Sequence, residues 1–201
     1  MTYLYNRTGK NDKLDCGLLA HLNANRYYKN ETIDYKHKSY QQLLTFYRTN
    51  EGKYGREIKR NIIFDCNISK LFGLHAISTI PDIYSDKDIH LLYSQIQDYN
   101  NKRVQREYVN RIKNAIIDNK NICICVITTS SAIKKASRTH KLDKTHCVLI
   151  TNYKLDKLRV VNIPTNIYKN SKSKYRYCEK YIDFSSSYYK ILYAIEISNH
   201  K

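Results

Sequence analysis

The chain has 201 residues, 42% of them hydrophobic, which predicts one domain with its own core and excludes a disordered chain. Its formal net charge of +17 favours polyanionic partners, but twenty tyrosines, no tryptophan and abundant lysine are typical of an AT-rich genome such as that of a virus or parasite. The opening residues lack the apolar segment of a signal peptide, and no window approaches the roughly 18 apolar residues of a membrane span. We therefore expect a cytoplasmic protein without a membrane partner.

The first predicted helix carries a cysteine in its first turn. Leu14, Leu18 and Leu22 recur every four residues, which predicts an amphipathic helix, and Asp15 is the expected N-cap. Unpaired backbone N–H groups and the helix dipole favour negative charge at such a position. The segment therefore favours a thiolate at Cys16.

Further helices are predicted along the first half of the chain. They cover residues 39–48, 56–74 (closed by Gly73) and 86–99. The clearest is 103–118, where apolar side chains fall at four-residue steps. We expect residues 1–118 to form a helical part of a single domain.

The pattern then changes to short runs rich in β-branched residues. Strands are predicted at residues 121–130, 145–153, 158–163 and 190–198, and the middle two should form a hairpin. Helices followed by an antiparallel sheet, over residues 119–201, predict an α+β fold with two layers.

Two basic, polar segments are expected to be exposed loops, residues 130–144 and 168–181. Cys123 and Cys125 stand in an apolar run with a spacing unsuited to zinc, so we expect them to be small core residues rather than metal ligands. All six cysteines are expected to be free thiols, and no metal or cofactor is predicted.

A thiolate nucleophile needs a histidine base and a polar group that holds the imidazole. Of the seven histidines, His146 fits best because it opens an apolar strand after a polar loop; His140 is a rival in the loop itself. Asn162 ends the next strand, just before Pro164. Cys16, His146 and Asn162 are therefore the candidate catalytic residues.

Three segments together resemble the papain-like cysteine peptidases, closest to the bacteriocin-processing (double-glycine) group: "DCGLLAHL", "RIKNAIIDNKNICICVI" and "THCVLITNYKLDKLRVVNIPT". A cysteine near the N-terminus with histidine and asparagine about 130–150 residues later is typical of papain-like enzymes. The resemblance implies that Cys16 is the nucleophile, His146 the base and Asn162 the group that orients the imidazole.

The oxyanion donor departs from this family. Where such peptidases carry a glutamine about six residues before the cysteine, this chain has Lys10. Lys10 or Asn11 is therefore the expected donor, and Gly17, next to the nucleophile, is the expected substrate-binding residue. Ile163 separates Asn162 from the proline that usually follows it.

The expected activity is acyl transfer through a thioester, in a peptidase, isopeptidase or deamidase, on a protein or peptide substrate that the charge suggests is acidic. One alternative is a non-catalytic basic module that binds nucleic acid or an acidic protein surface, as the missing glutamine at Lys10 allows. A phosphodiesterase-like site made by His75 and His146 is a third reading, but the segment "THCV" lacks the hydroxyl residue that it needs.

Overall fold

The computed structural model describes residues 3–4, 16–30, 40–46, 49, 58–80, 96–139, 145–166 and 175–199. Over these residues the fold is α+β, with helices packed on an open antiparallel sheet. The expected fold class is confirmed at this level.

The six strands of this sheet run in the order β1-β6-β2-β3-β4-β5, and every neighbouring pair is antiparallel. Their bounds are β1 His75–Ile80, β2 Ile122–Thr129, β3 His146–Lys154, β4 Lys157–Asn166, β5 Tyr175–Ile182 and β6 Tyr189–Ser198. The last strand therefore enters the sheet between the first two, and β1 and β5 are its edges.

Helices cover both faces of the sheet. They are α1 Cys16–Lys29, α2 Ile58–Leu71, α3 Lys102–Asn119, α4 Ser130–Thr139 and a 3₁₀ helix at Ile96–Asn100; residues 40–46 are also helical. One core layer contains α1, α2 and the buried side of α4, and the other contains α3. Successive residues of β2 alternate between these layers, so this strand has an uninterrupted apolar sequence.

Local signals account for the ends of two helices. The side chain of Asn101 caps α3 by accepting a hydrogen bond from the Arg103 backbone N–H at 2.8 Å. Gly73 follows α2 with φ +65°, a left-handed conformation that favours glycine, as the sequence predicts. The β3–β4 hairpin is also confirmed, with Lys154 paired to Lys157 and Leu155 at φ 54°.

Three elements differ from the sequence expectation. β1 is a strand within the part expected to be helical, and β5 occupies the second half of the second expected loop. Both are edge strands, which carry more polar residues than central strands. Residues 130–139 form α4 instead of a loop, because Ala132, Ile133 and Ala136 supply a narrow buried stripe between exposed charges.

Candidate active site

Helix α1 brings Cys16 to one end of the sheet. Near the other end of the helix, the Tyr28 hydroxyl donates to the Ile197 carbonyl at 2.6 Å and accepts from the Ile122 N–H at 3.2 Å, where β2 begins. Cys16 is about 18 Å along the helix axis from Tyr28, close to the ~17 Å that β2 spans from Ile122 to Ile127. From the length of α1 and its contact with β3, we infer that Cys16 lies toward the Ile127 end of the sheet.

His146 begins β3 at this same end, where it pairs with Ile127. Its Nε2 lies 2.6 Å from the main-chain carbonyl oxygen of Asn162. Because a carbonyl oxygen only accepts hydrogen bonds, Nε2 carries the proton, and in the neutral ring Nδ1 is the atom able to accept one. The contact therefore sets the tautomer of the imidazole.

Burial lowers the pKa of His146 to about 4, although the hydrogen bond to the Asn162 carbonyl acts in the opposite direction. The imidazole is therefore neutral at pH 7. A neutral ring with a defined acceptor nitrogen has the protonation state of a general base.

Asn162 presents its carbonyl from an irregular part of β4. The residue is buried and has φ 68°, and the register with β5 shifts between Val160 and Ile163. Glycine adopts this left-handed conformation most readily, and asparagine adopts it more readily than most of the other residues. The structure thus brings His146 and Asn162 together, and the contact is made by the main chain of Asn162.

The alternation of side chains along β3 determines on which face of the sheet the His146 imidazole lies. Cys147 and Leu149 lie in the core layer of α1, whereas Val148 and Ile150 lie in the layer of α3. The His146 side chain therefore leaves the strand on the α3 side. The ring and helix α1 therefore belong to opposite faces of the sheet, which extends past His146 to the Thr129–Tyr189 pair.

The remaining predicted site residues are placed as follows. Gly17 is buried in the first turn of α1. Lys10, Asn11, the expected cap Asp15 and the rival His140 lie outside the described residues.

His75 is distant from His146. It pairs with Ser198, at the end of the sheet where β2 begins, whereas His146 lies at the opposite end and three strand positions away. The structure therefore does not bring together the two histidines of the phosphodiesterase-like alternative.

The buried cysteines contrast with Cys16. Burial raises the pKa of Cys123 and of Cys125, and burial together with the nearby Asp65 raises the pKa of Cys66 to about 11. Cys123 and Cys125 are fully buried core residues, as expected, whereas Cys16 is only partly buried at a helix N-terminus. Among these thiols, Cys16 has the surroundings that favour reaction.

A buried polar cluster that the sequence analysis did not identify anchors α1. His21 lies with Nδ1 3.1 Å from Ser69 Oγ and Nε2 3.3 Å from Asp65 Oδ1, and the Tyr193 hydroxyl donates to Asp65 Oδ2 at 2.8 Å. All four side chains are buried, so the cluster joins α1 to α2 and β6 and is closed to substrate. A lone histidine in an otherwise apolar helix was its one signal in the sequence.

No protein-family model matches the sequence, and neither the curated proteins nor the solved structures contain a significant match. Within the described residues, no three histidine, cysteine or acidic side chains are grouped as metal ligands. Of the helices described above, none is both long enough and apolar enough to cross a membrane.

Proposed function

We propose that the protein is a papain-like, cysteine-dependent acyl-transfer hydrolase. Cys16 is the nucleophile, His146 the base, and the main-chain carbonyl of Asn162 the group that holds the imidazole. The observation that carries this proposal is the contact of His146 Nε2 with the Asn162 carbonyl, which leaves Nδ1 as the acceptor at the start of β3. The inferred position of Cys16 toward this end of the sheet supports it.

In this mechanism the Cys16 thiol attacks an acyl carbon while its proton passes to Nδ1 of His146. The tetrahedral intermediate collapses to a thioester as Nδ1 returns the proton to the leaving amine or ammonia. Water then attacks the thioester and gives a proton to Nδ1, and Nδ1 passes this proton to the leaving sulfur, which releases the acid and restores the free thiol and the neutral imidazole. N–H groups of the first turn of α1, including that of Gly17, are suited to stabilise the oxyanion.

The low pKa of His146 makes this a general-base mechanism rather than one that starts from a stable imidazolium–thiolate pair. The substrate is an amide, in a peptide, isopeptide or carboxamide group. The excess of basic residues favours an acidic protein or peptide as its source.

Alkylation of the native protein tests the pairing of Cys16 with His146. At pH 6, iodoacetamide should modify Cys16 before Cys66, Cys123 and Cys125, since burial protects Cys123 and Cys125 and the pKa of Cys66 is raised. In His146→Ala the Cys16 rate should fall at least about 100-fold, the lower end of the range for general acid–base assistance. Peptide mapping by mass spectrometry measures each site.

The matched control is His75→Ala, which removes an exposed histidine at the other end of the sheet and should leave the rate unchanged. Equal Cys16 rates in the His146 variant and the unsubstituted chain would contradict the proposal. They would favour the second candidate, a non-catalytic basic module, for which the net charge of +17 is the supporting observation.

A further inference from the structure

Helix α3 separates its exposed charges into two flanks. Successive helical residues point about 100° apart, which assigns each side chain to a flank. The first flank carries four cations and no acid: Lys102, Arg103, Arg106 and Lys113. The second flank is mixed and holds Glu107, Arg111 and Asp118, with Arg111 Nη2 2.8 Å from Glu107 Oε1.

The first flank continues onto the β3–β4 hairpin. Lys113 Nζ lies 3.6 Å from Asp156 Oδ1 in the hairpin turn, whereas Lys154 and Lys157 leave the hairpin on the other face, because their neighbours Tyr153 and Leu158 pack in the α3 layer. We name Lys102, Arg103, Arg106 and Lys113, which reaches the hairpin, the α3–hairpin surface. Across the described residues, Lys102, Arg103 and Arg106 have no ion-pair partner.

Codon bias does not explain this separation. An AT-rich genome raises the lysine count on every surface, but it does not sort acids from bases around one helix. The whole chain has 18 acidic residues against 35 basic ones, whereas the first flank has none, and two of its four cations are arginines. Cations aligned along one side of a helix, three of them without an acidic partner among the described residues, suit a partner with regularly spaced negative charges.

We propose that the α3–hairpin surface binds the phosphate backbone of a nucleic-acid duplex. From Lys102 to Lys113 the flank extends about 17 Å, and a duplex presents one charge per roughly 1.7 Å of its axis. Asn110 lies between these cations on the exposed side and can donate to a phosphate oxygen. The binding depends on phosphates, is independent of base sequence, and does not require Cys16 to be a nucleophile.

A duplex is favoured over a single strand by the chemistry of the surface. Single-strand binding relies on exposed aromatic rings on which bases stack. The described side chains of the first flank include no aromatic ring, and Lys113 Nζ lies over Tyr153 of the hairpin, 5.5 Å from its ring centroid.

Charge reversal on each face of the sheet tests the proposal. The double variant Arg103→Glu/Arg106→Glu alters the surface, and Lys134→Glu/Arg138→Glu changes the net charge equally on α4, which packs in the opposite layer through Ile133 and Ala136. Binding of the full chain to a fluorescent duplex DNA is followed by anisotropy over a range of salt concentrations. Circular dichroism confirms that both variants are folded.

With about four phosphate contacts, log affinity against log salt should have a slope of about −4 for the unsubstituted chain. The α3 variant should reduce the slope by about 2 and weaken binding at least about tenfold, while the α4 variant keeps the slope. Arg103→Gln/Arg106→Gln, which adds no acid, should reduce the slope by a similar amount.

Three results would overturn the proposal. The first is no binding to the duplex at about 50 mM salt, and the second is an equal loss in the α3 and α4 variants, which would indicate net charge alone. The third is tighter binding to a single strand or to polyglutamate, which would assign the surface to another partner. Alkylation of Cys16 is measured separately, so this proposal and the hydrolase proposal can fail independently.

Discussion

Replacing Asn162 separates what its main chain does from what its side chain does. The imidazole of His146 is held by the carbonyl oxygen of a residue at φ 68°, so any residue that keeps this φ keeps the contact. Asn162→Gly adopts the left-handed region without strain, whereas Asn162→Ala keeps the Cβ but loses the polar side chain that lets asparagine tolerate this region, at a cost of up to about 1–2 kcal/mol.

Burial and strand pairing oppose a change of φ at position 162 that would relieve this strain. The residue is 1% exposed and sits at a register shift between β4 and β5, so a change in φ would disturb strand pairing on that side. We therefore expect Asn162→Ala to lose about 1–2 kcal/mol of stability and to loosen the contact to His146. Asn162→Gly should keep the contact, with a small stability change from the greater freedom of the unfolded chain.

Nitrogen NMR of the ¹⁵N-histidine-labelled protein measures the tautomer directly, and urea denaturation measures the stability. The unsubstituted chain and Asn162→Gly should both show His146 protonated at Nε2, and Asn162→Ala should show a mixture of tautomers. If the glycine variant loses the Nε2 tautomer as fully as the alanine variant, the asparagine side chain holds the ring and the argument from the main chain is wrong.

Two further predictions concern stability. The folded state holds the His146 pKa at about 4, below its ordinary value of 6.5, so the unfolded chain takes up the proton first as the pH falls. The contribution of His146 to the free energy of unfolding should be complete above pH 6.5 and decline by up to about 3 kcal/mol as the pH approaches 4. Urea denaturation at pH 7.5 and 4.5 measures this loss of stability. An equal loss in His146→Gln would refute the assignment to His146. Tyr193→Phe removes a hydrogen bond to the buried Asp65 and should cost about 1–3 kcal/mol in the same assay, whereas Tyr188→Phe, at an exposed tyrosine, should cost less; equal costs would contradict the role of the cluster.

The elements that the sequence predicts well are those with a strong apolar pattern. Helix α3 shows buried side chains at regular helical steps, and the central strands β2 and β6 are covered by helices on both faces, so their sequences are almost wholly apolar. Edge strands lack this signal, because one side of β1 and of β5 has no neighbouring strand. The short sequence of β1, with its serine and threonine, and the charged sequence of β5 resemble loops.

The sequence predicts the pairing of His146 with Asn162, but not which atoms make the contact. The sequence order of Cys16, His146 and Asn162 identifies a plausible set, and the structure places His146 against Asn162. A sequence does not show that Asn162 has a left-handed φ. Its side-chain amide therefore suggests that the side chain holds the imidazole, whereas in the structure the main-chain carbonyl makes the contact. The cluster around His21 was hidden for a related reason, since its partners come from two distant segments.

The carbonyl that holds the His146 ring belongs to every amino acid, and only the backbone angle at position 162 is demanding. A homologue with glycine at this position would retain the same hold on its imidazole. A sequence motif that requires a polar third residue after the cysteine and histidine would miss such a chain, although its backbone geometry would be intact.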